Sequence, residues 1–176
     1  MSDNLNKEGT IENYFENQFE YVYKWLSFAE AKNAALVAFN VAVLKVVNDI
    51  KDISMGLKIF ILVLLIVSLI IALKSFFPDL SNKVEDNKSV FDEKKNLIFF
   101  QDIAQIPNEH ILLKLVKEKY FPEKDDSYIE NKYLLDLSSE ILINSRITLN
   151  KYKSFRTALC IDMIAMIFIM FAYIFG

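Results

Sequence analysis

The sequence contains little of the chemistry that catalysis, zinc binding or disulfide cross-linking requires. Its 176 residues include one cysteine, one histidine, three glycines and three prolines. One cysteine excludes an intramolecular disulfide framework, and a single Cys with a single His falls short of a zinc site. No nucleophile stands beside a recognisable base, so we predict no enzyme activity, no catalytic residue, no metal and no cofactor. The net charge of −3 does not favour duplex DNA binding.

The scarcity of glycine and proline leaves long unbroken stretches of Leu, Ile, Phe, Lys and Glu. The chain is 53% hydrophobic with a mean hydropathy of +0.24, which is high for a soluble domain. Few chain breakers and long apolar stretches together predict an all-α membrane protein.

Two segments are clear candidates for crossing a bilayer. Met55 to Phe77 is roughly 35 Å long as a helix, exceeds a hydrocarbon core of about 30 Å, and is followed by Pro78, which should end it. Thr157 to Phe175 contains an aspartate, Asp162, which costs up to about 3 kcal/mol at the bilayer centre. Nine Leu, Ile and Phe residues in the same segment return about 3 to 5 kcal/mol, so insertion is favoured.

A third segment, Ser27 to Ile50, has a charge-free stretch only from Asn33 to Leu44, which is about 18 Å of helix. It either spans with Lys32 and Lys45 reaching outward, or it is an interfacial or protein-covered helix. Its many alanines favour close helix packing, and its asparagines indicate shielding from lipid. We therefore predict a third span.

The predicted fold is an all-α membrane protein with three transmembrane helices, long helices extending into the cytoplasm, and an oligomeric bundle. One helix should run from Ile11 to Ile50 after an N-cap at Thr10, and another from Tyr128 to Phe175 after a Ser127–Glu130 capping box. All but three of the 20 lysines and arginines then lie at the cytoplasmic side, with a cytoplasmic N-terminus. The predicted parts are a cytoplasmic amphipathic helix (1–28), two spans with a short outer hairpin (29–77), a cytoplasmic linker with a short helix (78–126), and the last long helix (127–176).

Asp162 is the most informative residue, because ionisable side chains at this depth usually face a bundle interior or a water-filled cavity. A seven-residue step places it on one stripe of the last helix; the stripe comprises Leu134, Ile141, Thr148, Phe155, Asp162 and Ile169. Two interpretations stay open. Asp162 either makes a packing contact to Asn33, Asn40 or Lys32, or forms with those residues a polar layer in an ion path.

A second group of residues could bind a phosphorylated or nucleotide ligand. Arg146 and Lys151 are basic and lie near Asn144, although the same charges could instead anchor the helix at anionic lipid. Phe100 and Asp102 are either core and cap or part of a ligand-stacking site.

The order of four motifs resembles the membrane effectors of Pycsar-type antiphage defence. These are "AEAKNAALVAFN" (29–40), a span ending at Phe77-Pro78, "FFQDIA" (99–104) and "ILINSRITLNKYKSFRTAL" (141–159). The matching positions are Lys32, Asn40, Phe100, Asp102, Asn144, Ser145 and Lys151.

The resemblance implies an effector in the bacterial inner membrane that responds to a nucleotide second messenger from a neighbouring cyclase or nucleotidyltransferase. Such an effector would impair the membrane and halt growth of the infected cell, which is abortive infection. Three spans cannot enclose a lumen, so a pore or ion channel would need a homo-oligomer. The alternative is a non-conducting membrane anchor or scaffold that recruits a cytosolic partner.

Overall fold

The computed structural model describes residues 10–50, 53–77, 96–123 and 131–175, and within these ranges it contains five helices and no strand. The helices are α1 (Ile11–Asp49), α2 (Met55–Lys74), α3 (Phe100–Ile103), α4 (Glu109–Tyr120) and α5 (Lys132–Phe175). The all-helical prediction is confirmed. The helix end predicted at Pro78 and the Ser127–Glu130 capping box lie outside the described residues.

α1 begins where its cap predicts and runs without a break for 39 residues. The Thr10 hydroxyl accepts a hydrogen bond from the Asn13 amide at 3.2 Å, as an N-cap should. Its buried positions follow a three-and-four spacing over the whole helix: Ile11, Phe15, Gln18, Val22, Ala29, Asn33, Leu36, Asn40 and Val47. Two further apolar residues of α1, Phe19 and Leu26, are only half-buried.

The described residues form two compact units, and α1 and α5 contribute to both. The first unit contains residues 10–27, 96–123 and 131–149, and the second contains residues 28–50, 53–77 and 150–175. The core of the first unit consists mainly of large apolar side chains, among them Phe15, Ile103, Leu113, Val116 and Ile141. In α4 the buried face is formed by Leu112, Leu113 and Val116, whereas Ile111 and Leu115 are half-buried.

The second unit, which we call the membrane unit, packs parts of three helices around a narrow core. Leu36, Ala72 and Ala158 form one buried cluster, and Val47, Ile61, Leu65 and Ala165 form another. These pairings make α1 and α5 parallel and α2 antiparallel to both. By length and composition, Met55–Lys74 and Lys132–Ile174 could each cross a membrane; among the described helices α1 does not meet that criterion.

Candidate functional site: a buried polar cluster in the membrane unit

Three polar side chains, one from each helix, meet in the core of the membrane unit. Asn40 of α1, Ser68 of α2 and Asp162 of α5 are all at most 1% exposed. The Asn40 amide nitrogen donates to Asp162 Oδ2 at 2.9 Å and lies 3.3 Å from Ser68 Oγ. We call these three residues the Asn40 cluster. A bilayer offers polar groups no water, so such side chains are expected to bond to one another.

The hydrogen bonds of the cluster also reach the backbones of two helices. Asn40 Nδ2 lies 3.1 Å from the Leu36 carbonyl, one turn earlier on α1, and Ser68 Oγ donates to the Ala158 carbonyl at 3.1 Å. Two acceptors, Asn40 Oδ1 and Asp162 Oδ1, are buried and have no hydrogen-bond partner in the described part of the chain. The cluster therefore joins all three helices and retains two unsatisfied oxygens.

The predicted stripe on α5 matches the burial of that helix. Leu134, Ile141, Thr148 and Asp162 are buried, and Phe155 and Ile169 are half-buried. Asp162 contacts Asn40, which is one of the packing contacts that the sequence leaves open. In this structure both side chains face the interior of a single chain, and their place in an ion path stays a prediction.

Asn33 and Lys32 lie about two turns before Asn40 along α1. Asn33 is fully buried, and its amide nitrogen donates to the carbonyls of Ala29 at 2.9 Å and Lys151 at 3.2 Å. Lys32 lies over three aromatic rings, those of Phe28, Tyr152 and Phe155, with its ammonium 4.6, 5.1 and 5.6 Å from the ring centroids. Such cation–π contacts suit a lysine at the edge of an apolar region.

Lys151, one of the predicted ligand-binding residues, belongs to the membrane unit. Its ammonium donates to the Ser75 carbonyl at 2.7 Å, lies 3.2 Å from a Glu30 carboxylate oxygen and lies 5.7 Å from the ring centroid of Phe76. The Lys151 side chain is 11% exposed. Lys151 thus joins all three helices of this unit through its charge.

The other predicted ligand-binding residues, Phe100, Asp102, Asn144 and Arg146, belong to the first unit. Phe100 is buried with its ring 5.6 Å from that of Trp25, and Asp102 accepts a hydrogen bond from the Asn96 amide at 3.1 Å. Phe100 therefore belongs to the core, whereas Asp102 holds the turn before α3 and does not cap that helix, whose N-cap residue is Phe99. Asn144 is half-buried.

Arg146 holds the turn between α3 and α4 against α5. It donates to the carbonyls of Ala104, Ile106 and Pro107 at 3.3, 2.6 and 2.9 Å. Burial lowers the pKa of the guanidinium and nearby Glu109 raises it, but an arginine keeps its charge in either case. The charge of Arg146 is therefore directed at backbone oxygens.

Sequence reasoning does not single out Ser68, Tyr14 or Gln18. Ser68 is one small polar residue in a span of Leu, Ile and Val, and only its position in the middle of that span could have drawn attention. The Tyr14 hydroxyl donates to the Leu97 carbonyl at 3.0 Å, and Gln18 donates to the Ile98 carbonyl at 2.8 Å. These two side chains hold the segment before α3 against α1.

Comparison with known proteins gives the family. The family model described as the Pycsar effector protein domain, PycTM, matches residues 14–176. The chain is also 32% identical over 138 residues to the Pycsar effector protein RsPycTM of a Rhizobium species, covering 74% of this chain and 76% of that relative. No solved structure matches the chain significantly. The chain therefore belongs to the PycTM family of Pycsar effectors, which are membrane effectors of antiphage defence.

Proposed function

We propose that several copies of this protein assemble into an ion-conducting pore in the bacterial inner membrane, and that a nucleotide second messenger controls it. A neighbouring cyclase or nucleotidyltransferase would make the messenger upon phage infection. Conduction would then dissipate the membrane potential and stop growth of the infected cell.

The observation that carries the proposal is that α1 supplies Asn40 to a hydrogen-bonded cluster with α2 and α5. Because its asparagines are buried, α1 needs less apolar length than a helix surrounded by lipid. Residues 28–49 are about 33 Å long as a helix, enough for a hydrocarbon core of about 30 Å. This supports three spans, with α1 as the first.

The two ends of the membrane unit support a cytoplasmic N-terminus. At one end lie Lys32 among aromatic rings and Lys151 beside Glu30. At the other end the Lys58 ammonium donates to the Asn48 and Ile50 carbonyls at 2.6 and 3.1 Å, which are acceptors at the end of α1. Most lysines and arginines belong to the parts of the sequence that adjoin the Lys32 end, and basic residues are more frequent on the cytoplasmic side of a membrane. The Lys32 end is therefore favoured as the cytoplasmic end.

The need for several copies follows from the packing of one copy. Its core is closed by side chains such as Leu36, Leu65 and Ala158, which leave the described bundle no lumen of its own. α1 also exposes small side chains at helical spacing: Ala31, Ala34, Ala35, Ala38 and Ala42. Small residues allow close helix contacts in membranes, so we assign this face to neighbouring copies.

The nucleotide site of the proposal lies in the first unit. Phe100, Asp102, Asn144 and Arg146 all belong to it, and three of them, Phe100, Asp102 and Asn144, are also positions that match the family resemblance. Lys151 is left out because it belongs to the membrane unit, where its ammonium lies beside a Glu30 carboxylate oxygen. The ligand can open the pore only if it binds the open state more tightly than the closed state.

The test combines membrane-potential imaging with a change on the α1 face. Cells expressing the protein together with the messenger-producing enzyme should depolarise, and cells with either one alone should not. Chemical cross-linking in membranes measures the oligomer. Ala35→Phe should abolish both the depolarisation and the cross-linked oligomer, because a large ring blocks close approach of a neighbouring α1. The matched control is Ile70→Phe on α2, where Ile70 is 58% exposed. This variant should keep both the depolarisation and the oligomer.

Several outcomes would contradict the proposal. An unchanged potential in cells containing both proteins would favour the non-conducting scaffold. Depolarisation that survives Ala35→Phe would show that the alanine face of α1 does not contact neighbouring copies. If the effector alone depolarises cells as much as it does together with the enzyme, the pore is not controlled by a nucleotide.

A further inference from the structure

We propose that Asp162 binds a proton, so that the Asn40 cluster contains a neutral carboxylic acid paired with an amide. The proposal concerns the chemistry inside one chain and does not depend on whether the assembled protein conducts ions. It assigns Asp162 the role of a protonation site, which differs from a residue lining a pore.

The first argument comes from counting donors and acceptors. Asp162 Oδ2 accepts the Asn40 amide hydrogen bond, whereas Asp162 Oδ1 and Asn40 Oδ1 are both buried acceptors without a partner among the described residues. Burying an unsatisfied acceptor is costly, and native structures contain few of them. Both unsatisfied atoms are acceptors on the same hydrogen-bonded pair, so what the pair lacks is a hydrogen.

A proton on Asp162 supplies that hydrogen. A protonated carboxyl group has one O–H donor and keeps its remaining acceptor capacity. One hydrogen directed from Asp162 to the Asn40 carbonyl oxygen would satisfy both atoms, while Asn40 continues to donate to Asp162 Oδ2. The Ser68 hydroxyl has a single hydrogen, which donates to the Ala158 carbonyl in this structure, and it could satisfy at most one of the two acceptors.

The second argument is that no cation of the described helices pairs with Asp162. The charged residues nearest to the cluster along each helix are Lys32 and Lys45 on α1, Lys58 and Lys74 on α2, and Arg156 on α5. Lys32 lies over aromatic rings, Lys58 is bonded to backbone carbonyls, and the other three are exposed. A buried carboxylate without a cation is unfavourable in lipid and is neutralised by taking up a proton.

A metal ion in place of the proton fits this cluster less well. Hard cations such as Ca²⁺ and Mg²⁺ take about six or more oxygen ligands. The side chains of the cluster provide only Asn40 Oδ1, Ser68 Oγ and the two Asp162 carboxylate oxygens, and Ser68 Oγ and Asp162 Oδ2 already take part in hydrogen bonds. A proton needs one donor oxygen and one acceptor, which the pair contains.

Infrared spectroscopy of the full chain in lipid nanodiscs tests the proposal directly. A protonated carboxylic acid has a C=O stretching band that a carboxylate lacks. We expect this band at neutral pH in the wild type, its loss in Asp162→Asn, and its retention in Asp136→Asn, which removes an exposed aspartate from the same helix. Thermal unfolding provides a second measurement. Asp162→Asn, which resembles the neutral acid in shape, should melt like the wild type, and Asp162→Leu should melt lower.

Three results would overturn the proposal. The absence of the band in the wild type at neutral pH would show that Asp162 is ionised. A band that appears only after sodium is removed would show that a metal ion occupies the cluster. A band that Asp162→Asn leaves unchanged would belong to another residue. Because a wild-type titration of the band needs no variant, the proposal stays testable even if Asp162→Asn fails to fold.

Discussion

The two units differ in the size of the apolar side chains in their cores and on their surfaces. The first unit buries large residues such as Phe15, Leu113 and Ile141. The membrane unit buries Ala72, Ala158 and Ala165 beside larger residues such as Leu36 and Leu65, and it leaves many large residues exposed on α2 and α5, among them Ile70, Met163, Ile167, Met170 and Phe171. This difference is expected if lipid is the solvent of the membrane unit, because lipid does not drive large apolar groups inward and close helix packing favours small ones.

Polar side chains also serve different partners in the two units. In the first unit, Tyr14, Gln18 and Arg146 donate to carbonyls in the segment from Leu97 to Pro107, where only four residues are α-helical. In the membrane unit the long helices satisfy most of their own backbone groups. There, Asn40, Ser68 and Asp162 also bond to one another. In the first unit, polar side chains therefore satisfy the backbone of an irregular segment. In the membrane unit, they join helices to one another.

The largest expected effect is the loss of a buried large side chain from the first unit. Leu113→Ala should lower the free energy of unfolding by about 2 to 5 kcal/mol, because it leaves a cavity in the core. Trp25 is the one tryptophan of the chain, and its ring lies 5.6 Å from that of Phe100 within this unit. Its fluorescence during denaturant unfolding in detergent therefore measures the effect.

The matched control for Leu113→Ala is Ile167→Ala in the membrane unit. Ile167 is 63% exposed, so its truncation removes lipid contacts and no core packing. We expect a change within about 0.5 kcal/mol by far-ultraviolet circular dichroism. If both variants lose the same free energy of unfolding, the two units do not differ in where large side chains contribute to stability.

A smaller effect is expected from enlarging a buried small residue in the membrane unit. Ala158 packs against Leu36 and Ala72, and its carbonyl accepts the Ser68 hydrogen bond. Ala158→Leu should destabilise the unit by about 1 to 3 kcal/mol through overpacking. Thermal unfolding in nanodiscs measures this, and Cys160→Leu, on the exposed side of the same helix, should melt like the wild type. If Ala158→Leu also melts like the wild type, the small core is not tightly packed.

The sequence predicts the helices and the stripe of Asp162 well. The helix expected from Ile11 to Ile50 is observed at Ile11–Asp49, and Asp162 is buried on the predicted face. Both follow from local rules: capping at Thr10, the absence of glycine and proline within the helix, and a seven-residue repeat.

The contacts between helices could not be predicted, because they depend on how elements distant in sequence pack. Ser68 carries no periodic signal within α2, yet it meets Asn40 and hydrogen-bonds to the carbonyl of Ala158 on α5. Gln18 is buried although it is polar, whereas the neighbouring apolar residue Phe19 is only half-buried. Arg146 and Lys151 have similar charge in the sequence, but their partners are carbonyls of one turn for Arg146 and a carboxylate with a carbonyl for Lys151.

The smallest expected effect concerns Lys151, whose charge could serve either packing or a ligand. Lys151→Gln keeps a donor for the Ser75 carbonyl but loses the ion pair with Glu30. Glu30 is half-exposed, so the pair should contribute no more than about 1 kcal/mol. If packing is its role, thermal unfolding of this variant should show a small decrease in nanodiscs, Lys153→Gln at an exposed position should show none, and messenger-dependent depolarisation should persist. If Lys151 instead binds the messenger, depolarisation would be lost while the melting temperature stays at the wild-type value, and Lys151 would return to the proposed nucleotide site.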